Sequence, residues 1–325
     1  MKRTSQFDVH GQTVLIAGGS KGLGRELALQ LPSEEPQLTP SGANVIILAR
    51  SPGPLEETRQ EMLTRVQTPN QVIAAHPVDL TSSTDVESLI STLDPLPTIL
   101  FCVAGGTADE IGFFADIPSH SIKTCMDRNY LGAAYISHAL LRRWLREPPA
   151  QPPTQAPTRH LIFTASTAAF LGLPGYAAYT PSKVATRALA DTLRSEVLLY
   201  RSQQEIRVHC SFPGTIYTDS FVQEQLGKPA LLKELEGSEG NGGGLSAGKV
   251  AERTIQGLKQ GRFFITMDWD TELLLNNMRG PSPRFWSVLD WLIGFLAALV
   301  WPIVRGRWDS RIGAYGRENG VGRRE

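Results

Sequence analysis

The sequence is poor in cysteine and has no excess of charge of either sign. Cys102, Cys125 and Cys210 are the only cysteines among the 325 residues, and none has the spacing of a metal site or a disulfide framework. Their odd number and wide separation predict reduced, buried thiols in a protein that faces the cytosol. Lys plus Arg and Asp plus Glu number 32 each, which argues against a broad nucleic-acid-binding surface.

The N-terminus lacks the apolar stretch of a secretory signal. MKRTSQFDVHGQ contains basic residues, but the first apolar run behind it, Thr13 to Ala17, has only the length of a strand. We therefore expect the folded part of the protein to stay on the cytosolic side of any membrane.

Short apolar runs alternate with helical patterns over the N-terminal two thirds of the chain. The runs are nearly continuous in Val, Ile, Leu and Phe, as in strands that are buried on both faces. They lie at 13–17, 44–50, 71–79, 98–105, 160–166 and 206–214. The helical patterns between them lie at Leu23–Leu31, Leu55–Val66, Asp85–Leu93, Ser121–Leu145 and Pro181–Arg201. This alternation predicts a doubly wound parallel α/β sheet, a Rossmann fold, with helices on both faces.

Three segments depart from this alternation. Residues 32–42 and the Pro-rich 147–158 are interpreted as surface insertions at the edge of the sheet. Residues 215–248 combine a helical pattern with a Gly-rich run, which is typical of a mobile segment at a substrate entrance, although a plain loop explains the glycines equally well.

A glycine-rich turn follows the first predicted strand. AGGSKGLGREL, residues 17–27, contains Gly18, Gly22 and Gly24 in the pattern GxxxGxG just where a helix begins. Glycines let the backbone turn sharply and approach a pyrophosphate, and the helix N-terminus offers N–H groups to the phosphates. The position between a buried strand and a helix favours a dinucleotide site over an ordinary turn.

Charged residues at the next strand ends indicate which dinucleotide binds. Arg50 ends the second strand and no acidic residue follows it before Glu56, and Lys21 lies inside the glycine turn. Two cations and no carboxylate favour NADPH over NADH. Asp79 ends the third strand, where it is placed either to bind the adenine amino group or to cap the following helix.

The strongest signal is STAAFLGLPGYAAYTPSK, residues 166–183. Tyr179 and Lys183 are four residues apart, so a helix places them on one face. An ammonium beside a phenol is expected to lower the pKa of the phenol toward working pH. Ser166 ends a strand, where its hydroxyl can bind a substrate carbonyl, whereas Tyr176 has no lysine partner and is assigned to packing or substrate contact.

These motifs together resemble the short-chain dehydrogenase/reductase family over roughly residues 10–270. The resemblance implies that Tyr179 is the proton donor, Lys183 the modulator of its pKa, Ser166 the carbonyl orienter and Asn129 the holder of a water that relays protons. It also implies these cofactor contacts: Gly18, Ser20, Lys21, Gly22, Leu23, Gly24, Arg50, Asp79, Leu80, Ala104, Gly105, Tyr179, Lys183, Pro213 and Gly214. The chain departs from the family at Cys102-Val103-Ala104-Gly105, where members often have Asn-Asn-Ala-Gly, so the backbone is left to flank the cofactor. Dimers or tetramers are the family's usual assemblies, built through helices corresponding to 121–145 and the catalytic helix.

The longest apolar run, residues 285–304, lies near the C-terminus. FWSVLDWLIGFLAALVWPIV is flanked by arginines and contains Trp286, Trp291 and Trp301, which suit a membrane interface. Asp290 is costly inside a membrane unless it lies near an end of the segment, as it does here. The run is predicted to attach to a membrane, by spanning it or lying in its surface, in preference to packing as a buried dimer helix. The predicted division is a catalytic domain at 1–270 and a membrane-associating segment and tail at 271–325.

A closer resemblance within the family is to the fungal 3-ketodihydrosphingosine reductases. It is carried by GGSKGLG, DRNYLGAAY, FTAST with GYAAYTPSK, and the apolar C-terminal segments. It implies NADPH-dependent reduction of a long-chain keto lipid at the cytosolic face of the endoplasmic reticulum. A membrane-associated steroid or retinoid reductase would share every catalytic residue, and a catalytically silent lipid-binding or scaffold protein of this fold is the alternative from another class.

Overall fold

The protein is built on a parallel sheet. Its computed structural model describes residues 7–33, 42–108, 110–147, 157–236 and 244–319. The strands in these ranges are β1 Thr13–Ala17, β2 Asn44–Ala49, β3 Ile73–Pro77, β4 Ile99–Cys102, β5 Arg159–Thr164, β6 Ile206–Phe212, β7 Ile216–Tyr217, β8 Leu245–Ser246 and β9 Phe264–Thr266. Seven of them form one sheet in the order β3-β2-β1-β4-β5-β6-β9, and β7 pairs with β8 in a separate two-stranded sheet.

The strands are parallel throughout the large sheet, as the predicted doubly wound fold requires. Leu15 on β1 lies opposite Ile46 on β2 and Leu100 on β4. Side chains of β1 alternate between two hydrophobic cores, with Leu15 in one and Val14 in the other. Burial on both faces explains why the strands read as continuous apolar runs. The prediction of the fold is confirmed, with β9 added at one edge.

Helices cover both faces of the sheet and continue beyond it. They are α1 Gly22–Gln30, α2 Pro52–Leu63, α3 Ser83–Thr92, α4 Ser119–Met126, α5 Gly132–Arg146, α6 Tyr179–Glu196, α7 Asp219–Gly227, α8 Ala230–Glu236, α9 Ala247–Lys259, α10 Trp269–Met278 and α11 Ser287–Asn319. The single helix predicted at 121–145 has a π-helical segment, Asp127–Leu131, between α4 and α5. Such segments insert an extra residue into a helix and occur often at functional sites.

The C-terminal region packs on the catalytic domain. The predicted boundary after residue 270 falls inside α10, whose Leu275 is buried in one of the two cores of the sheet. Helix α11 follows and packs against α10. By length and composition alone, α11 is apolar enough to cross a membrane. It contains the predicted apolar run except for its first two residues.

Parts of the three departing segments lie outside the described residues. These parts are 34–41 and 148–156 of the two predicted insertions, and 237–243 of the Gly-rich run. The predicted mobility of 215–248 stays a prediction. The described part of that segment contains β7, α7 and α8.

Candidate active site

A cavity of about 1040 Å³ opens at the carboxyl ends of the strands. It lies where β1 and β4 are neighbours and the strand order reverses, which is where doubly wound sheets bind ligands. Its lining includes these predicted site residues: Gly18, Ser20, Lys21, Gly22, Leu23, Gly24, Arg50, Asp79, Leu80, Ala104, Gly105, Ser166, Tyr179, Lys183, Pro213 and Gly214. The structure thus brings together every predicted site residue except Asn129, while their individual roles stay predictions.

The glycine turn forms a close-fitting cradle at one end of this cavity. Gly18 has φ +100°, and a Cβ there would lie 2.5 Å from the backbone nitrogen of Ala104. A Cβ on Gly24 would lie 2.0 Å from the carbonyl oxygen of Gly18. Helix α1 begins directly behind the turn, and the side chain of its N-cap residue, Lys21, makes no capping hydrogen bond. The turn and the helix N-terminus both line the cavity, and together they fit the pyrophosphate of a nicotinamide dinucleotide.

Exposed charges surround the neighbouring part of the cavity. Lys21 and Arg50 are both exposed and both line it. The Asp79 carboxylate accepts hydrogen bonds from the Thr81 backbone N–H at 2.9 Å and the Thr81 hydroxyl at 2.8 Å. The backbone bond is the main cause of a lowered Asp79 pKa, and Arg50 adds to it. Asp79 therefore stabilises its own turn.

The alternative role of Asp79, as cap of the following helix, is wrong. The N-cap of α3 is Ser82, whose hydroxyl accepts a hydrogen bond from the Asp85 N–H at 3.3 Å. The cap lies three residues further along because Asp79 is already engaged by Thr81, and the helix begins only after the 79–82 turn.

At residues 102–105, where the family often has asparagines, backbone hydrogen bonds hold the chain in place. The N–H groups of Val103 and Ala104 donate to the carbonyl oxygen of Ala17 at 2.9 and 2.7 Å. These bonds hold the end of β4 beside the glycine turn without any asparagine side chain. The cavity wall at this point is accordingly formed by main chain and small side chains.

Tyr179, Lys183 and Ser166 meet at the centre of the cavity. Tyr179 is the first residue of α6, so Lys183 follows one turn later on the same face. The Lys183 ammonium donates to the carbonyl oxygen of Thr164 at 3.1 Å and lies 5.6 Å from the centroid of the Tyr179 ring. The Ser166 hydroxyl is close enough to the Tyr179 phenol to lower the pKa of that phenol. A carbonyl placed here would meet two hydroxyl groups with an ammonium behind them.

Burial has the largest effect on both titrating groups. It raises the pKa of Tyr179, and the neighbouring Ser166 hydroxyl offsets only part of this rise. It lowers the pKa of Lys183 to about 8. The four-residue spacing predicted that Lys183 lowers the pKa of Tyr179, and for the protein alone this prediction is wrong. The free energy needed to remove a phenolate from water exceeds the stabilisation that the neighbouring groups give it. The phenol stays protonated at neutral pH, as a proton donor must.

Asn129 lies behind the cavity wall. Its side chain is buried; Oδ1 accepts from the Gly106 N–H at 2.8 Å, and Nδ2 donates to the Gly106 carbonyl oxygen at 2.9 Å. Its own carbonyl oxygen accepts from the hydroxyl of Thr186 on α6 at 3.2 Å. Asn129 thus ties the loop after β4 to the catalytic helix, and the predicted water relay stays a prediction.

Several cavity residues escaped the sequence prediction. Tyr176, assigned to packing or substrate contact, has its hydroxyl 2.9 Å from a Glu224 oxygen and 2.5 Å from a Glu236 oxygen, and it can donate its one proton to either. Neither glutamate belongs to a recognisable motif. The only sequence signal was the four-residue spacing of Glu224 and Lys228 within a helical pattern.

Helix α11 supplies an apolar wall. Six of its residues line the cavity: Leu296, Ala297, Val300, Trp301, Val304 and Trp308. The predicted membrane segment is therefore also part of the substrate end of the site. Sequence reasoning missed this, because nothing in an apolar run shows which surface it will meet.

The chain belongs to the short-chain dehydrogenase family, whose sequence model matches residues 12–228. Solved structures agree on the fold. A short-chain dehydrogenase/reductase from Mycobacterium ulcerans superposes with a TM-score of 0.65 at 21% identity, covering 90% of this chain and 98% of the other. One from Burkholderia cenocepacia, in complex with NADP, gives a TM-score of 0.58 at 17% identity, covering 85% and 95%.

Curated relatives narrow the family further. The chain is 34% identical to 3-ketodihydrosphingosine reductase ksrA of Aspergillus fumigatus, over 98% of this chain and 88% of the relative. It is also 34% identical to 3-ketodihydrosphingosine reductase gsl-3 of Neurospora crassa, over 97% of this chain and 85% of the relative. The similarity extends beyond the residues that the family model matches, into the region of α9, α10 and α11.

Proposed function

We propose that this protein reduces the keto group of 3-ketodihydrosphingosine to give dihydrosphingosine, with NADPH as reductant, in sphingolipid synthesis. The observation that carries the proposal is a single cavity in which Tyr179, Lys183 and Ser166 face the apolar wall of α11. A long-chain ketone needs both a polar reaction centre and an apolar channel. The relatives named for this reaction support the substrate.

The chain's own groups account for the proton transfer. The Ser166 hydroxyl binds and orients the carbonyl oxygen, and the Tyr179 phenol gives its proton to that oxygen as negative charge develops there. The Lys183 ammonium stabilises the phenolate that remains. A nicotinamide dinucleotide whose pyrophosphate is held by the glycine cradle would supply the hydride to the carbonyl carbon.

The choice of NADPH rests on charge. Lys21 and Arg50 line the cavity beside the ends of β1 and β2, and both side chains are exposed to it. Two cations suit the additional 2′-phosphate of NADPH, whereas a carboxylate at the end of β2 would suit the ribose hydroxyls of NADH.

Helix α11 supports attachment to the surface of the endoplasmic reticulum membrane, with the catalytic domain in the cytosol. Near its start, Asp290 is buried, accepts from the Phe285 N–H at 2.8 Å and lies 3.6 Å from Arg279. Near its end, the Arg311 guanidinium makes a bidentate pair with Glu234 on α8, at 2.6 and 2.7 Å.

These contacts hold α11 along the catalytic domain at both ends, which favours a helix in the membrane surface over one that spans the bilayer. Its outward face carries a row of exposed apolar side chains: Val288, Leu289, Trp291, Leu292, Phe295, Leu299 and Ile303. If this face binds the membrane, the protein should co-sediment with lipid vesicles. Replacing Trp291, Phe295 and Leu299 together by Ser should then leave the protein in the supernatant. Retention of the triple variant would contradict surface attachment.

The enzymatic proposal is tested with the full chain purified in detergent. Consumption of NADPH and mass spectrometry of the product are measured with 3-ketodihydrosphingosine, a steroid ketone and a retinoid aldehyde or ketone. We expect turnover of the long-chain keto base to exceed that of the others. Reduction of a steroid or retinoid alone would overturn the substrate, and lipid binding without NADPH consumption would overturn the enzymatic activity. A dimer or tetramer formed through α4, α5 and α6 is part of the proposal, and light scattering of the same preparation tests it.

A further inference from the structure

A buried charged cluster lies beside the proton donor, at the substrate end of the cavity. Lys228 follows α7, and only 1% of its side chain is exposed. Its ammonium lies 2.6 Å from Glu224 on α7 and also pairs with Glu236 at the end of α8. All three side chains line the cavity. The sequence motifs and the proton-transfer chemistry leave this cluster without a role.

Tyr176 joins the cluster to the reaction centre. Its hydroxyl lies within hydrogen-bonding distance of both carboxylates, and its ring lies 5.2 Å from the Tyr179 ring, measured between centroids. Thr107 donates its hydroxyl to the second oxygen of Glu224. The carboxylates are close enough for their charge to raise the pKa of Tyr179. The two carboxylates thus line the same cavity as Tyr179, next to the tyrosine ring that packs beside it.

The charges within the cluster do not balance. Glu224 and Glu236 carry two negative charges, and Lys228 carries one positive charge. Charges held away from water are stable only when they are paired. Each carboxylate side chain remains 15% exposed, and a carboxylate offers about four acceptor positions. Capacity for another cationic donor thus remains on a wall of the cavity.

The proposed substrate carries a group of that kind. 3-Ketodihydrosphingosine is a 2-amino ketone, so a protonated amine stands on the carbon next to the carbonyl. An ammonium has three donors and one positive charge, which would balance the cluster. A steroid or simple long-chain ketone has no such group.

We propose that Glu224 and Glu236 bind the protonated amino group of the substrate and select 2-amino ketones over ketones that lack the amine. The inference rests on the proposed function. Lys228 holds the two carboxylates together from behind, and Tyr176 positions them beside Tyr179.

The test compares 3-ketodihydrosphingosine with 1-hydroxyoctadecan-3-one, which has the same chain and keto group but no amine. Wild-type kcat/KM should favour the amino ketone by about tenfold or more, as expected for a charge-assisted hydrogen bond. Glu224→Gln and Glu236→Gln should each lower kcat/KM for the amino ketone about tenfold, and change it less than about threefold for the other ketone. The second ketone also reports whether each variant is folded. Glu252→Gln, on the exposed side of α9, is the matched control and should change neither value.

Lys228→Gln separates charge recognition from scaffolding. It removes the positive charge while both carboxylates remain, so a preference for the amino ketone should persist in the turnover that is left. Equal use of both ketones by the wild type, or equal losses for both ketones in the glutamate variants, would overturn the ammonium site and leave the proposed reduction intact. Reduction of neither ketone would overturn both proposals.

Discussion

The two ends of the cavity are built in different ways. The cofactor end is built around a glycine turn and the ends of β1, β2 and β4, with Lys21 and Arg50 beside them. The substrate end consists of side chains from the helices α7, α8 and α11. The first end fits a group common to many enzymes, whereas the second carries the charges and apolar surface that we propose distinguish one ketone from another.

The comparison shows where specificity can change without loss of the reaction. At the cofactor end, space is so limited that a single methyl group would overlap the backbone. At the substrate end, the charged cluster and α11 offer separate surfaces to the polar and apolar parts of a ligand. Tyr179 stands between the two ends and depends on both.

Replacing Tyr179 by Phe should have the largest effect on the reaction. The phenol is the only proton donor assigned to the carbonyl oxygen, so kcat should fall about 1000-fold, within the usual range for general acid catalysis. NADPH affinity, measured by fluorescence titration, should change less than about threefold because the cofactor cradle is untouched.

Tyr200→Phe is the control for the loss of a phenol, because among the described contacts the Tyr200 hydroxyl bonds only Glu196, and the residue is not among those that line the cavity. Its turnover should equal that of the wild type. A Tyr179→Phe variant that keeps more than about a tenth of the wild-type kcat would show that Tyr179 is not the proton donor.

Replacing Gly24 by Ala should damage the cofactor end selectively. Its Cβ would lie 2.0 Å from the Gly18 carbonyl oxygen, so the turn must move. Overpacking of this kind costs about 1–3 kcal/mol, which corresponds to a rise in the Kd for NADPH of up to about 100-fold. Gly53→Ala in α2 is the matched control, since no heavy atom lies within 4 Å of the added Cβ. Unchanged NADPH binding by Gly24→Ala, measured by calorimetry, would show that this end of the cavity is less rigid than its geometry indicates.

Sequence patterns predict the cofactor end better than the substrate end for a physical reason. Strands buried on both faces and a glycine turn are local consequences of the chain, so β1 and the turn after it were placed correctly. Lys183 was placed on one face with Tyr179 by helical spacing alone. The pKa of Tyr179 was not predictable in this way, because it depends on how much protein surrounds the phenol.

The substrate end is assembled by tertiary contacts that no local pattern specifies. Glu236 and Tyr176 are 60 residues apart and meet only because α8 packs over the cavity. Strand β9 has three residues, too few to show a period. The π-helical segment around Asn129 was not predicted either. One extra residue within a long helical pattern barely alters the spacing of that pattern in the sequence.

Replacing Arg50 by Asp tests whether charge at the cofactor end selects NADPH over NADH. The variant loses a cation and gains a carboxylate at the end of β2, so the Kd for NADPH should rise about 30-fold, the scale of a charge-assisted hydrogen bond. The Kd for NADH should change far less. Arg142→Asp on α5, an exposed arginine, is the control for the charge change and should alter neither constant. Equal weakening of both cofactors by Arg50→Asp would remove the argument for NADPH.

The protonation of Lys183 should make the reaction depend on pH. Burial lowers its pKa to about 8, so the ammonium is present below that pH and is lost as the pH rises above it. Tyr179 stays protonated in this range because its pKa is raised. We therefore expect kcat/KM to fall with a midpoint near pH 8, by about tenfold at one unit above it. The measurement uses 1-hydroxyoctadecan-3-one, so that no substrate amine titrates, and NADPH affinity is followed over the same range. A profile that stays flat to pH 9.5 would show that the ammonium is not required for proton transfer, and the two ends of the cavity would then be coupled through Tyr179 alone.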